Sequence, residues 1–192
     1  MNDEQAIHKE HKLRDGHILQ LFQDTWAESP RSWSNLGTMA IFHKRYNFGD
    51  EVNFSDEEFA GWEEMEEYIK TKLKAVACIP IYLHDHSGIT INTQGFACPW
   101  DSGQVGFIYV TESKLKETNP EITEDLIKIT TQTLLHEVKI MDTYLRGKVY
   151  GFHLVKDGVT IDSRSGFYGE DITINGMLNH IPAELIPEDL TP

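Results

Sequence analysis

The amino-acid sequence predicts an α+β fold: a mostly antiparallel sheet with two main helices packed on one face. Strand-forming segments come in hairpin-like pairs, and two segments with helical apolar stripes are inserted between them. The regular strand–helix alternation of a doubly wound parallel sheet is missing. A length of 192 residues fits one domain with a short extension, and a hydrophobic content of 40% is enough for a core.

Residues 1–25 read as a flexible or helical N-terminal extension, because polar and charged residues precede Ile18, Leu19 and Phe22. A single α+β domain is expected over residues 26–185. It opens on Ser29-Pro30-Arg31-Ser32, a punctuated loop that Trp26 and Trp33 would pin to the core. Thr38 to Phe42 is a short apolar strand, and Asn47-Phe48-Gly49-Asp50 is a turn. Ser55 and Glu58 form a capping-box pattern, so the first helix is expected from Ser55, burying Phe59, Trp62, Ile69 and Leu73. The apolar run from Ala75 to Leu83 predicts a central strand with a bulge or an edge position at Pro80. Gly88 to Thr93 and Gly106 to Thr111 are further strands. Asn119-Pro120 signals the start of a second helix, with Leu134, Val138 and Met141 in its buried stripe and Gly147 as its stop. Asp157-Gly158 marks a hairpin between Val149–Val155 and Val159–Asp162, and Ser165 to Gly169 reads as a loop. Prolines after Ile181 make residues 186–192 a loose C-terminal tail.

The formal net charge is −14. Such a chain is repelled by nucleic acid and by anionic membranes, and is attracted to a basic protein surface. No apolar run approaches the roughly 20 residues that span a bilayer, and the polar N-terminus is unlike a secretory signal. The cysteines Cys78 and Cys98 make no disulfide framework and no CxxC pair, which fits a reducing, cytoplasmic location. Between Asp50 and Ile69 every Asp, Glu, Lys or Arg is an acid. Asp56, Glu57, Glu63, Glu64 and Glu67 are the candidate binding residues of that acidic face.

The densest polar words are Tyr82-Leu83-His84-Asp85-His86-Ser87-Gly88 and Cys98-Pro99-Trp100-Asp101-Ser102-Gly103-Gln104-Val105-Gly106. His84 and His86 would point the same way on a strand, with Asp85 opposite. They are candidate metal ligands that Cys98 or Asp101 can complete. The competing explanation, and the favoured one, is a hairpin turn at Asp85–Gly88, so no cofactor is expected. His86, Cys98 and Asp101 are the candidate catalytic residues, against which Phe96, Pro99 and Trp100 favour a buried structural thiol at Cys98. The glycines of the second word precede a strand rather than a helix, so close strand approach suits them better than phosphate binding. His136-Glu137 lacks the second histidine of HExxH and reads as a solvated or partly packed helix face. His43-Lys44-Arg45-Tyr46 is the main basic cluster, and Arg31 can join it in a small anion site, or it is an exposed strand end.

These words occur in order with Pro30-Arg31-Ser32-Trp33-Ser34-Asn35-Leu36-Gly37-Thr38-Met39, Gly49-Asp50, Tyr144-Leu145-Arg146-Gly147, Gly166-Phe167-Tyr168-Gly169 and Asn175-Gly176-Met177-Leu178. Together they resemble a widespread family of uncharacterised small proteins of bacteriophages and mobile elements, over about residues 26–185. The resemblance supplies no catalytic residues. It implies an accessory protein that counters host defences, of the anti-restriction or anti-CRISPR type. The resulting expectation is a non-enzymatic acidic protein in the host cytoplasm. Its partner would be a host protein with a basic surface, such as a nuclease or defence component. The alternative is a metal-dependent or cysteine-dependent enzyme, or a small-ligand binder, using His84, His86, Cys98 and Asp101.

Overall fold

A computed structural model describes residues 6–190. In chain order the strands are β1 (Ile7–Lys12), β2 (His17–Gln23), β3 (Thr38–Ile41), β4 (Ala75–Asp85), β5 (Ile89–Asn92), β6 (Ser102–Thr111), β7 (Val149–Lys156) and β8 (Val159–Tyr168). The helices are α1 (Trp62–Thr71), α2 (Glu112–Lys116) and α3 (Glu124–Leu145). The mixed α+β class with antiparallel pairing is what the chain adopts, but the strands form two four-stranded sheets, ordered β1-β2-β7-β8 and β3-β6-β4-β5. Contacts group the chain into two compact units that divide at Glu28/Ser29 and at Asp142/Thr143. Among the described residues no helix is long and apolar enough to cross a membrane.

The first unit joins the N-terminal strands to the C-terminal part of the chain. Residues 7–23 are neither helical nor a loose extension. They form a hairpin turned at Asp15-Gly16, where both residues have positive φ (52° and 70°). β2 then pairs with β7 along its whole length, from His17↔Lys156 to Gln23↔Tyr150. The charges of Ile7–Lys12 fall on the edge strand β1, where lysines discourage further pairing. Asp157-Gly158 makes the β7–β8 turn, again with positive φ at both residues (52° and 78°). β8 extends to Tyr168, so Ser165 to Tyr168 is strand rather than loop. Leu19, Leu21, Phe152 and Leu154 share one face and build a core with Ile172, Met177, Ile181 and Leu185. Short 3-10 turns at Met177–His180 and Ala183–Leu185 lay the tail on that face, and Ile186 and Leu190 pack against it. The loose tail expected from residue 186 is therefore docked as far as Leu190. Residues 191–192 lie outside the described part.

The second unit, Ser29–Asp142, holds the other sheet. Two helices pack against it as expected, but they take opposite faces. Phe107 and Tyr109 of β6 join Met65 and Ile69 of α1 in one cluster. Ile108, which points the other way, lies with Leu134 of α3 around Gly37. The Ser55–Glu58 box forms, with the Ser55 N–H donating to Glu58 Oε1 at 2.8 Å, but it closes only a 3-10 turn at Asp56–Glu58. α1 starts afresh after an extended Gly61. Asn119 likewise does not start α3. Its N–H donates to Leu115 O at 3.0 Å behind α2, and Thr123 caps α3, its Oγ1 accepting from Leu126 N at 3.2 Å. Pro80 is tolerated because β5 pairs only with Tyr82–Asp85, which among the described residues leaves β6 as the one strand beside it. Gly106 serves close strand approach: a Cβ there would sit 1.9 Å from Ala40 O.

Candidate metal centre

β4 and β5 are joined by a tight reversal in which Ser87 and Gly88 have positive φ (55° and 128°). The hairpin turn expected at this word is present, and it also positions side chains. His84 and His86 share one side, their rings stacked at 6.1 Å. Asp85 points away, accepting hydrogen bonds from Arg45 and from Tyr46 OH.

The β4–β6 register brings the second polar word to the first by pairing His84 with Ser102. Asp85 N–H donates to Asp101 O at 2.8 Å, and Ser102 Oγ donates to Cys98 O. Upstream, Asn92 Oδ1 accepts the N–H groups of Gln94 and Gly95 at 3.0 and 2.8 Å. That turn delivers Phe96, whose ring stacks on His84 at 5.3 Å. Backbone ties thus hold both loops against one sheet end.

One ligand atom each from His84, Cys98 and Asp101 lies within 4.8 Å of the others. Cys98 Sγ is 3.7 Å from Asp101 Oδ2, and His86 Nδ1 is 3.5 Å from the same oxygen. Zinc–thiolate bonds of about 2.3 Å and zinc–nitrogen or –oxygen bonds of about 2.0–2.2 Å place tetrahedral ligand atoms about 3.3–3.7 Å apart. Both pairs are close to that spacing, but only the first lies within the trio, whose ligand atoms are within 4.8 Å of one another. His84 and Cys98 are half-buried and Asp101 is exposed, so one side of the trio faces solvent.

Cys98 is not the enclosed thiol that its neighbours suggested, because Trp100 is 91% exposed. Cys78 is half-buried as well, but in apolar surroundings. It packs against the α1 cluster, and burial, then Glu66, pushes its thiol up to about 12. The expected tryptophan-pinned loop also differs, since Trp26 is 89% exposed.

Arg31 does not join the His43 cluster. Its side chain is 7% exposed and makes an ion pair with Asp50 at 2.5 Å and another with Glu137 at 2.9 Å. Arg31 Nη2 also donates to Gly37 O at 2.7 Å. Glu137 Oε1 accepts from Leu36 N at 2.8 Å, and Asp50 Oδ2 from Met39 N at 2.7 Å. Burial opposes the guanidinium charge, yet the hydrogen bonds it donates to Asp50 and Glu137 outweigh that and raise its pKa. Glu137 is therefore an internal strut, so of the two expected readings the partly packed face holds and the solvated one does not. Its helical position gave no sign of this, because Arg31 is 106 residues away in sequence. Asp142 similarly accepts from Ile91 N at 2.9 Å, tying α3 to β5. The five acidic candidates are all exposed, Asp56 and Glu57 on the 3-10 turn and Glu63, Glu64 and Glu67 on α1.

Compared with family models, curated proteins and solved structures, the chain matches none.

Proposed function

We propose that the chain is a small metal-dependent enzyme whose ion is held by His84, Cys98 and Asp101, with His86 beside it. The observation that carries this is the convergence of three different donor atoms, from two separate loops, within 4.8 Å of one another. A mixed nitrogen, sulfur and oxygen set suits zinc and disfavours calcium or magnesium, which take oxygen ligands. Three protein ligands on a solvent-facing side leave a fourth position for water or substrate, the pattern of catalytic rather than structural zinc. An ion there would act as a Lewis acid and lower the pKa of bound water. His86 is a group able to move a proton beside it, 3.5 Å from Asp101 and with its side chain 70% exposed. Equilibrium dialysis against zinc tests the proposal. One ion per chain is expected, with more than about 100-fold weaker retention in His84→Ala and in Cys98→Ala, beyond the 10–100-fold of an outer-shell change. Retention of no ion, or equal retention by both variants, speaks against it.

A second proposal rests on a separate observation, the exposure of Asp56, Glu57, Glu63, Glu64 and Glu67. Such a face suits a basic protein surface, as an inhibitor of a host defence or nucleic-acid-binding protein would need. Binding of that kind weakens as salt rises. A pull-down from bacterial lysate at low and high salt, with a Glu63→Gln/Glu64→Gln/Glu67→Gln variant as control, should retain a partner only for the native face at low salt. Equal retention by the variant contradicts it.

A further inference from the structure

A groove of about 770 Å³ opens where β3 ends, and His43, Lys44, Arg45, Asp56 and Glu57 line it. The two segments that carry these charges are brought together by aromatic packing. Phe42 and Phe54 meet at 5.7 Å in the cluster that also holds α1. Phe42 N–H donates to Val105 O at 2.7 Å, and the Ser55–Glu58 box closes the turn that presents Asp56 and Glu57. The His43 ring stacks on Tyr46 at 5.0 Å, and Tyr46 OH donates to Asp85 at 3.0 Å. Both segments are thus fixed from below.

Two cations and two anions line the groove, so its charge balances in a chain of net charge −14. They do not neutralise one another. Arg45 is anchored at Asp85, which is not part of the lining, and its side chain remains 68% exposed. Lys44, Asp56 and Glu57 make no ion pair and no side-chain hydrogen bond among the described residues. A guanidinium has five N–H donors in a planar fork, so one edge can hold Asp85 while another faces a ligand. His43 Nδ1 accepts from Arg45 N at 3.2 Å, which leaves the Nε2 proton of the neutral ring free to donate. Opposite charges kept apart on one concave surface select a ligand by exclusion. A simple anion is opposed by Asp56 and Glu57, and a simple cation by Lys44 and Arg45. A neutral molecule takes water from all four charges and returns nothing. A molecule carrying both signs meets a complement for each. Ile41, Phe42 and Tyr46 add apolar lining for its body.

We propose that this groove binds a small zwitterion, a free amino acid or a short peptide, with its ammonium at Asp56 and Glu57 and its carboxylate at Lys44 and Arg45. The inference does not rest on the metal at His84, Cys98 and Asp101. The test uses the full chain as purified and calorimetry with the tripeptide glycyl-glycyl-phenylalanine. The free peptide should bind, and its N-acetylated and C-amidated forms, each with one charge, should bind at least tenfold more weakly. Lys44→Met should weaken the free peptide at least tenfold and leave the amidated form unchanged, because that form lacks the carboxylate Lys44 holds. Asp56→Asn/Glu57→Gln should weaken the free peptide as much and leave the acetylated form unchanged. The unchanged member of each pair shows that the variant is folded. Phenylalanine in place of the tripeptide distinguishes a free amino acid from a peptide. Binding of neither, equal binding of free and blocked peptides, or native affinity in Lys44→Met overturns the proposal.

Discussion

Two polar clusters in the second unit use similar residue types for opposite ends. Around Arg31 the donors and acceptors are matched: four bonds leave the guanidinium, to Asp50, Glu137 and Gly37, and the carboxylates also receive N–H groups from Leu36, Gly37 and Met39. Such a cluster holds loop, strand and helix together and has little capacity left for a ligand. Around His84 the backbone is tied down while the side chains are not saturated. Asp101 receives the Cys98 thiol at 3.7 Å and faces His86 at 3.5 Å, and His84 is flanked by the rings of His86 and Phe96. A rigid frame that presents unsaturated donors to solvent is what a metal site requires. The difference is one of unused bonding capacity, not of composition.

Breaking the saturated cluster should have the largest effect. Arg31→Met strands two largely buried carboxylates and should cost about 3–5 kcal/mol in urea unfolding. An unfolding midpoint close to the native one would mean that the triad is not internal. Gly106→Ala comes next. Its Cβ meets Ala40 O, so β3 must shift from β6, at a cost of about 1–3 kcal/mol. At the open cluster, Asp101→Asn should change metal-free stability by less than about 0.5 kcal/mol. The native chain should gain about 2.7 kcal/mol at zinc one hundred times its dissociation constant, and the variant should lose most of that gain. A large metal-free loss would move Asp101 into the structural class.

The smallest effect separates the thiols. Cys78, raised by burial and then by Glu66 to about 12, stays protonated across pH 6–9, whereas Cys98, equally half-buried, lies two residues from the exposed Trp100 rather than in an apolar cluster. A chromogenic disulfide at pH 8 should modify Cys98 fast and Cys78 slowly, and zinc should protect Cys98 alone. Equal rates would contradict the contrast between the two environments.

The fold was legible where local chemistry decides it. Asp157-Gly158 set its hairpin, and Gly147, with φ 65°, ended α3 as a left-handed C-cap should. The N-terminal hairpin is hidden because the charges of an exposed edge strand resemble those of a frayed end, and Asp15-Gly16 is the local turn signal that marks it. The early helix start at Ser55 failed because a capping box secures one turn, and Ala60-Gly61 interrupts the helix after it. At the site, period-two alternation correctly separated His84 and His86 from Asp85. The Glu137 strut was beyond sequence, since nothing local to a helical His-Glu pair indicates a buried arginine supplied from another loop.

Cobalt substitution tests the central claim most directly. A cobalt ion held by a thiolate gives a near-ultraviolet charge-transfer band, and d–d intensity in the visible reports four-coordination. The native chain and Cys78→Ala should both show the band at one cobalt per chain, and Cys98→Ala should lose it. A band that survives in Cys98→Ala, or no band in the native chain, would contradict a metal centre at His84, Cys98 and Asp101.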